Sequence, residues 1–176
     1  PITPRLLQAM YKQGRNLTSW YDVCLIRAVN LVAFHGFFRL GELVKKGPLS
    51  VVVPLDGVRF TDVGMVLTLP RSKSSPAPAH ITIEKTGRET CPQRAVQNFL
   101  QMRGTAAGPL FAHVDGSHVS DQQFKSKLSV VLSASGMDPA YYKGHSFRIG
   151  AASEAARKGY SDAQIRLMGR WKSDAF

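Results

Sequence analysis

Two short clusters of basic and polar residues in this sequence have the types and spacing needed to bind an anion. Arg39 precedes Glu42 by three residues, so the carboxylate can hold the guanidinium while leaving some of its donors free. His145 and Arg148 are also three residues apart, and Ser146 between them is the predicted N-cap of a helix. A helix N-terminus offers free N–H groups and the positive end of the helix dipole, and both favour a phosphate group.

Two further residues are weaker candidates for the same chemistry. Lys73 lies in a loop rich in Ser and Pro, where most lysines face solvent, although an ammonium group at a hairpin tip can also donate a proton. Trp171 follows the last predicted helix, and its indole can either hydrogen-bond an oxyanion or pack in the core. Considered singly, a structural ion pair between Arg39 and Glu42 and a packed Trp171 are the simpler interpretations.

The charge of the chain favours a polyanionic partner. Among 176 residues, 23 are Lys or Arg and 12 are Asp or Glu, which gives a net charge of +11 and a pI near 10.1. The excess is greatest in residues 1–50, with +5, and in residues 139–176, with +4. Nucleic acid is the first candidate and an acidic membrane surface the second, with a merely solvated basic surface as the alternative.

The composition also excludes several classes of protein. Apolar residues make up 44% of the chain, which is typical of a globular domain and not of a disordered one. No apolar run approaches the ~20 residues that span a bilayer, and the N-terminus lacks the layout of a signal peptide. Cys24 and Cys91 cannot form a disulfide framework and lack metal-ligand spacing, so we expect a reducing, intracellular setting.

The hydrophobic pattern predicts a mostly α-helical domain with a small antiparallel β-sheet (α+β). Residues 19–38 are apolar on nearly all sides, which indicates a buried helix. Capping boxes at Ser120 with Gln123 and at Ser161 with Gln164 mark the starts of two later helices. Helices are also predicted over 4–14, 92–102 and 146–158, and strands over 51–53, 65–69 and 80–83, with Lys73 in the loop between the last two strands.

Taken in chain order, these candidate residues resemble the catalytic set of the tyrosine recombinases, the phage-integrase-like site-specific DNA recombinases related to type IB topoisomerases. The resemblance covers nearly the whole chain. It rests on Arg39 with its Arg-x-x-Glu pair, Lys73 between two strands, the Gly-His-Ser-x-Arg box and Trp171 in the position that the family fills with His or Trp. The sequence of residues 144–176 is most similar to recombinases of eukaryotic mobile elements, the Crypton and DIRS-like groups.

The resemblance implies a DNA breaking-rejoining catalytic domain and a role for each residue of the set. The reaction would be strand cleavage and rejoining through a 3′-phosphotyrosyl intermediate, in the integration or excision of a mobile element. Arg39 and Arg148 would clamp the scissile phosphate, because guanidinium groups stay charged and bind phosphate oxygens in pairs. His145 and Trp171 would add hydrogen bonds to that phosphate. Lys73 would protonate the leaving 5′ oxygen as the general acid.

The resemblance also implies the surroundings of the reaction. Glu42 would orient and support the site. No metal and no cofactor would be needed, since cationic side chains supply the electrostatic stabilisation. The partner would be double-stranded DNA and not a membrane, and the protein would act in the nucleus if the host is eukaryotic.

One position departs from the family pattern. The nucleophilic tyrosine of the family follows the Trp or His position, whereas this sequence ends at Phe176, shortly after Trp171, and none of its five tyrosines occupies that position. We therefore expect residues 1–176 to form a single catalytic domain without the N-terminal core-binding domain and the C-terminal segment that carries the nucleophile. Such a domain would be inactive and monomeric alone, and the longer protein would assemble as a tetramer on DNA. The alternative is a non-catalytic DNA-binding domain derived from a recombinase.

Overall fold

The computed structural model of the chain describes residues 1–16 and 18–172, and helices dominate this part. The mostly α-helical fold class with a small antiparallel sheet, predicted from the sequence, is confirmed. The α-helices of the described residues are α1 (Pro4–Gly14), α2 (Trp20–His35), α3 (Pro92–Arg103), α4 (Asp121–Ala134), α5 (Ser146–Arg157) and α6 (Asp162–Gly169). Short 3-10 helices cover Leu40–Glu42, Leu55–Gly57 and Pro139–Tyr141.

Helix α2 lies at the centre of the fold, with α1, α3, α4 and α5 packed around it. Eleven of its sixteen residues are buried, as its continuous apolar sequence predicts. Ser19 caps the start of the helix, since its hydroxyl accepts a hydrogen bond from the backbone N–H of Asp22 at 3.2 Å. The predicted end at residue 38 is wrong. The helix stops at His35, because Phe37 adopts a left-handed conformation with φ of 55°.

Most helix starts follow the capping signals of the sequence. The Thr3 hydroxyl accepts from the backbone N–H of Leu6 at 3.1 Å, and both predicted capping boxes form at α4 and α6. Helix α5 differs from its prediction. His145 is its N-cap residue without a side-chain cap, whereas Ser146 is its first residue and accepts a hydrogen bond from the backbone N–H of Lys143 at 2.8 Å. The entrance of α5 therefore keeps helical N–H groups without a side-chain partner.

The sheet has three antiparallel strands in the order β1 (Val58–Phe60), β2 (Gly64–Leu69) and β3 (Ala79–Glu84). The last two predicted strands are confirmed, with residues 70–78 and Lys73 between them. The strand predicted at residues 51–53 is wrong. This segment instead bonds to a 3-10 helix on one side and to a loop on the other, because the Val53 N–H donates to the Glu42 carbonyl and the Val53 carbonyl accepts from the Leu110 N–H, both at 3.0 Å.

Three further features of the described residues bear on the expectations from the sequence. No helix within 1–16 and 18–172 is long and apolar enough to cross a membrane. Cys24 and Cys91 are buried free thiols. Within the same ranges, no group of three or more His, Cys, Asp or Glu is placed to hold a metal ion.

Candidate functional site

An open cleft of about 1210 Å³ brings residues from both ends of the chain together with the β2–β3 loop. Its lining is strongly basic and includes His145 at the entrance of α5. Of its two acidic residues, Asp121 is neutralised by an ion pair with Lys125 at 2.9 Å. The other charged lining residues are Arg39, Glu42, Lys46, Lys73, Lys143, Arg170 and Lys172. The cleft is therefore a region of positive potential suited to a polyanion.

Arg39 presents a largely free guanidinium to this cleft. It caps the 3-10 helix Leu40–Glu42, and its backbone N–H donates to Glu42 Oε2 at 3.1 Å. Its side chain is 51% exposed and, within residues 1–16 and 18–172, makes a single long polar contact, from Nη1 to Glu42 Oε1 at 3.4 Å. Most of its N–H donors are therefore available to a ligand. The expected pairing of Arg39 with Glu42 is present but weak.

The main partner of Glu42 is Arg170, a residue that the sequence reasoning did not select. Arg170 Nη2 lies 2.8 Å from Glu42 Oε2, and its Nη1 lies 3.2 Å from Oε1, in a parallel bidentate pair. Arg170 Nη2 also donates to the Phe37 carbonyl at 3.4 Å. The available signal is the sequence Gly169-Arg170-Trp171 at the end of α6, of which only Trp171 is a predicted site residue.

Arg148, in the first turn of α5, is the most unusual residue of the site. It is only 3% exposed, and its Nε has no hydrogen-bond partner. Its Nη2 donates to the Gly169 carbonyl, and among the described residues no carboxylate forms an ion pair with it. Burial, followed by the nearby positive charge of Arg39, lowers the pKa of Arg148 to about 10, with Glu42 opposing this change. A buried and uncompensated guanidinium is typical of a site that receives an anion.

Trp171 packs against Arg148 and does not line the cleft. The Arg148 guanidinium lies 4.2 Å from the centre of its ring, a distance typical of a cation–π contact. The Trp171 ring also meets Phe37 edge to face, with ring centres 6.2 Å apart. Gly169 makes room for this packing, because a Cβ there would lie 1.6 Å from Trp171 Cζ3. Trp171 therefore fixes the position of Arg148 in this arrangement.

His145 and Lys73 both line the cleft and are exposed to solvent. His145 stands at the N-terminus of α5, beside helical N–H groups that carry no side-chain cap. Lys73 lies at the tip of a tight turn closed by two hydrogen bonds, from Ser72 N to Ser75 O at 2.7 Å and from Ser75 N to Ser72 O at 3.1 Å. Because the turn is held at its base, the Lys73 ammonium can move within the cleft without moving the strands.

All six residues selected from the sequence therefore lie in one region of the molecule, in two layers. Four of them line the cleft, and Arg148 with Trp171 lies behind these, close enough for Arg39 to lower the pKa of Arg148. The cleft-lining four are Arg39, Glu42, Lys73 and His145.

Comparison with known proteins identifies the fold. No protein-family model and no curated protein sequence matches the chain. Among solved structures it is similar to the XerH site-specific recombinase bound to difH substrate in a pre-cleavage complex, with a TM-score of 0.75 and 10% identity over 98% of this chain and 47% of that chain. The XerA recombinase gives a TM-score of 0.72 and 13% identity, over 99% of this chain and 57% of that one.

A lambda integrase(75-356) dimer bound to a COC′ core site is also similar, with a TM-score of 0.66 and 16% identity, over 99% of this chain and 58% of that chain. These structural neighbours are tyrosine recombinases, and the chain spans about half of their length. The described chain therefore has the fold of a tyrosine recombinase catalytic domain.

Proposed function

We propose that this chain is the catalytic domain of a site-specific DNA recombinase that binds the phosphodiester to be broken in the basic cleft. The observation that carries the proposal is the buried guanidinium of Arg148, which has an unpartnered Nε and no carboxylate paired with it among the described residues. A buried charge without a counter-ion is costly, and a phosphate oxygen beside Arg39 would supply the missing partner. Such an anion would be a backbone phosphate of double-stranded DNA.

The same residues suit phosphoryl transfer. Negative charge grows on the non-bridging oxygens as a phosphodiester is attacked, and Arg39 and Arg148 would stabilise that charge from fixed positions. His145 and the N–H groups at the start of α5 would bind a further oxygen. Lys73 would protonate the leaving 5′ oxygen from the tip of its turn in the cleft. Trp171 would act through its packing on Arg148, and neither a metal nor a cofactor is required by this scheme.

The nucleophile would come from outside these 176 residues. None of the tyrosines in residues 1–16 and 18–172 lines the cleft, and in this proposal a C-terminal segment of a longer protein supplies a tyrosine that forms the 3′-phosphotyrosyl intermediate. That longer protein would assemble as a tetramer on its DNA and would also contain a core-binding domain. By the likeness of residues 144–176 it would serve a eukaryotic mobile element and act in the nucleus.

The absence of a cleft tyrosine also favours a second candidate function. The chain would then be a DNA-binding domain derived from a recombinase, without chemistry of its own. Both functions predict binding to duplex DNA through the same basic cleft, and they differ only in whether a covalent intermediate forms when a C-terminal tyrosine is provided.

Binding of a fluorescent DNA duplex at several salt concentrations tests the shared part of the proposal. We expect log K to fall linearly with log salt, since phosphate contacts release counterions. R148M should weaken binding, whereas R157A, on the same helix but paired with Glu154 outside the cleft, should not. Binding that is insensitive to salt, or equal in R148M and the unaltered chain, would contradict the proposal.

Covalent capture of DNA separates the two candidates. A chain extended by its own C-terminal segment should form an SDS-resistant adduct with DNA that carries its recombination site. The R148A substitution should abolish the adduct. A chain that binds this DNA without forming an adduct would be the non-catalytic binder.

A further inference from the structure

The charge arrangement around Glu42 is unusual, because one carboxylate serves two arginines at the edge of the cleft. Glu42 is 13% exposed and accepts four hydrogen bonds, two from Arg170 and two from Arg39. The two bonds from Arg170 are a bidentate side-chain pair. The bonds from Arg39 are one from its backbone and one long contact from its guanidinium. Glu42 is thus neutralised mainly by Arg170.

We propose that Arg170 is a positioning residue of the phosphate site, which acts through Glu42 and does not bind the phosphate itself. By holding both carboxylate oxygens, Arg170 prevents Glu42 from capturing the Arg39 guanidinium, which stays free for the anion. It also cancels a negative charge that would repel a phosphate in the cleft. This inference deepens the proposed function and rests on it for the identity of the anion.

The backbone around Arg170 is built to hold this pair. Phe37 and Arg170 are the two non-glycine residues with positive φ in the described part of the chain, at 55° and 56°. They are joined to each other, because Arg170 Nη2 donates to the Phe37 carbonyl. Strained backbone of this kind persists where the surrounding structure enforces it, and it is concentrated at functional sites.

The side chain of Arg170 is fixed as well. Its guanidinium lies 5.1 Å from the centre of the Phe38 ring, and it is 23% exposed against 51% for Arg39. Its Nε is buried without a hydrogen-bond partner, so among the described residues its guanidinium bonds only to Glu42 and to the Phe37 carbonyl. The less exposed guanidinium, that of Arg170, thus pairs with the carboxylate, and the more exposed one, that of Arg39, faces the cleft.

A substitution at constant charge tests this role. R170K keeps the positive charge but cannot form two parallel bonds to a carboxylate. The probe is inorganic phosphate, titrated against the isotope-labelled chain while the arginine Nε–H signals are followed by NMR. We expect R170K to raise the Kd for phosphate about tenfold when Glu42 is present, and less than about twofold in the E42Q background.

A matched control is available on α5. Arg157 also forms a bidentate pair with Glu154, through Nε at 2.9 Å and Nη2 at 2.6 Å, away from the cleft. R157K should leave the Kd for phosphate unchanged. If R170K does not fold, E42D serves instead, because it keeps the charge and breaks the same bidentate geometry, and it should raise the Kd in the same way.

The outcomes separate this inference from the proposed function. The positioning role is overturned if R170K leaves the Kd for phosphate unchanged. It is also overturned if R170K raises this Kd as much in the E42Q background as it does with Glu42 present. If the unaltered chain does not bind phosphate, the proposed function fails. In that case, the effect of Arg170 on Arg39 is measured from the NMR signal of the Arg39 Nε–H in the chain without phosphate. A shift of this signal in R170K and not in R157K supports the link, and no shift in either refutes it.

Discussion

Replacing Arg148 by methionine distinguishes a functional arginine from a structural one. Methionine has a similar length and no charge, so R148M fills the same space without the buried guanidinium. An arginine that holds the fold together through an ion pair is costly to remove, by about 3–5 kcal/mol, because its partner is left uncompensated. Arg148 has no such partner among the described residues, and its removal leaves no carboxylate stranded.

The expected change in stability can be worked from the structure. Burial lowers the pKa of Arg148 to about 10, well below the usual value of an arginine, so keeping the side chain charged at neutral pH costs roughly 3 kcal/mol. This cost applies at every pH below about 10, since the folded state binds the proton less tightly than the unfolded chain. R148M removes it but loses the packing on Trp171, worth about 1–2 kcal/mol, and the hydrogen bond to Gly169, worth about 1 kcal/mol. The opposing contributions nearly cancel.

Urea unfolding of the two chains provides the assay. We predict a free energy of unfolding for R148M within about 1 kcal/mol of that of the unaltered chain. Added phosphate should raise the stability of the unaltered chain and leave R148M unchanged, because only the former binds the anion. A loss of roughly 3 kcal/mol or more in R148M would show that Arg148 is a structural residue and would refute the reasoning.

Three further substitutions test two close contacts of glycine residues and the lowered pKa of His35. G169A places a Cβ 1.6 Å from a Trp171 ring atom and should lower the unfolding free energy by roughly 2 kcal/mol, measured in urea. G150A places a Cβ 2.0 Å from the Ile2 carbonyl and should release the N-terminal segment, seen as faster amide hydrogen exchange there. Burial lowers the pKa of His35 to about 4, so the unfolded chain binds a proton first and stability should fall as pH decreases from about 6.5 to about 4. H35Q should flatten this pH dependence, and an unchanged slope would contradict it.

Local signals in the sequence predict the elements that they control directly. The capping residues Thr3, Ser19, Ser120 and Ser161 lie at the starts of their helices, because their hydroxyls satisfy N–H groups within three residues. The same reasoning failed at Ser146. There the hydroxyl accepts from the preceding loop, and the helix begins one residue earlier than a serine cap would allow.

The sequence does not predict the structure of segments that is set by contacts with residues far away in the chain. The β-branched residues 51–53 favour a strand, but the backbone of Val53 bonds to Glu42 and Leu110, neither of which lies in a strand. The first strand of the sheet is Val58–Phe60 instead. The family resemblance predicts that six residues share one site. It does not predict that Arg148 and Trp171 lie behind the cleft lining, nor that Arg170 belongs to the site. Arg170 pairs with a glutamate 128 positions away, and sequence spacing carries no information about such a contact.

Crystals of the chain soaked in tungstate test the central claim most directly, because tungstate resembles phosphate and is located by its anomalous signal. We predict one strong anomalous peak in the cleft, with tungstate oxygens within about 3 Å of guanidinium nitrogens of both Arg39 and Arg148, and no peak there in R148M. Tungstate bound elsewhere with this cleft empty, or a peak retained in R148M, would contradict the account.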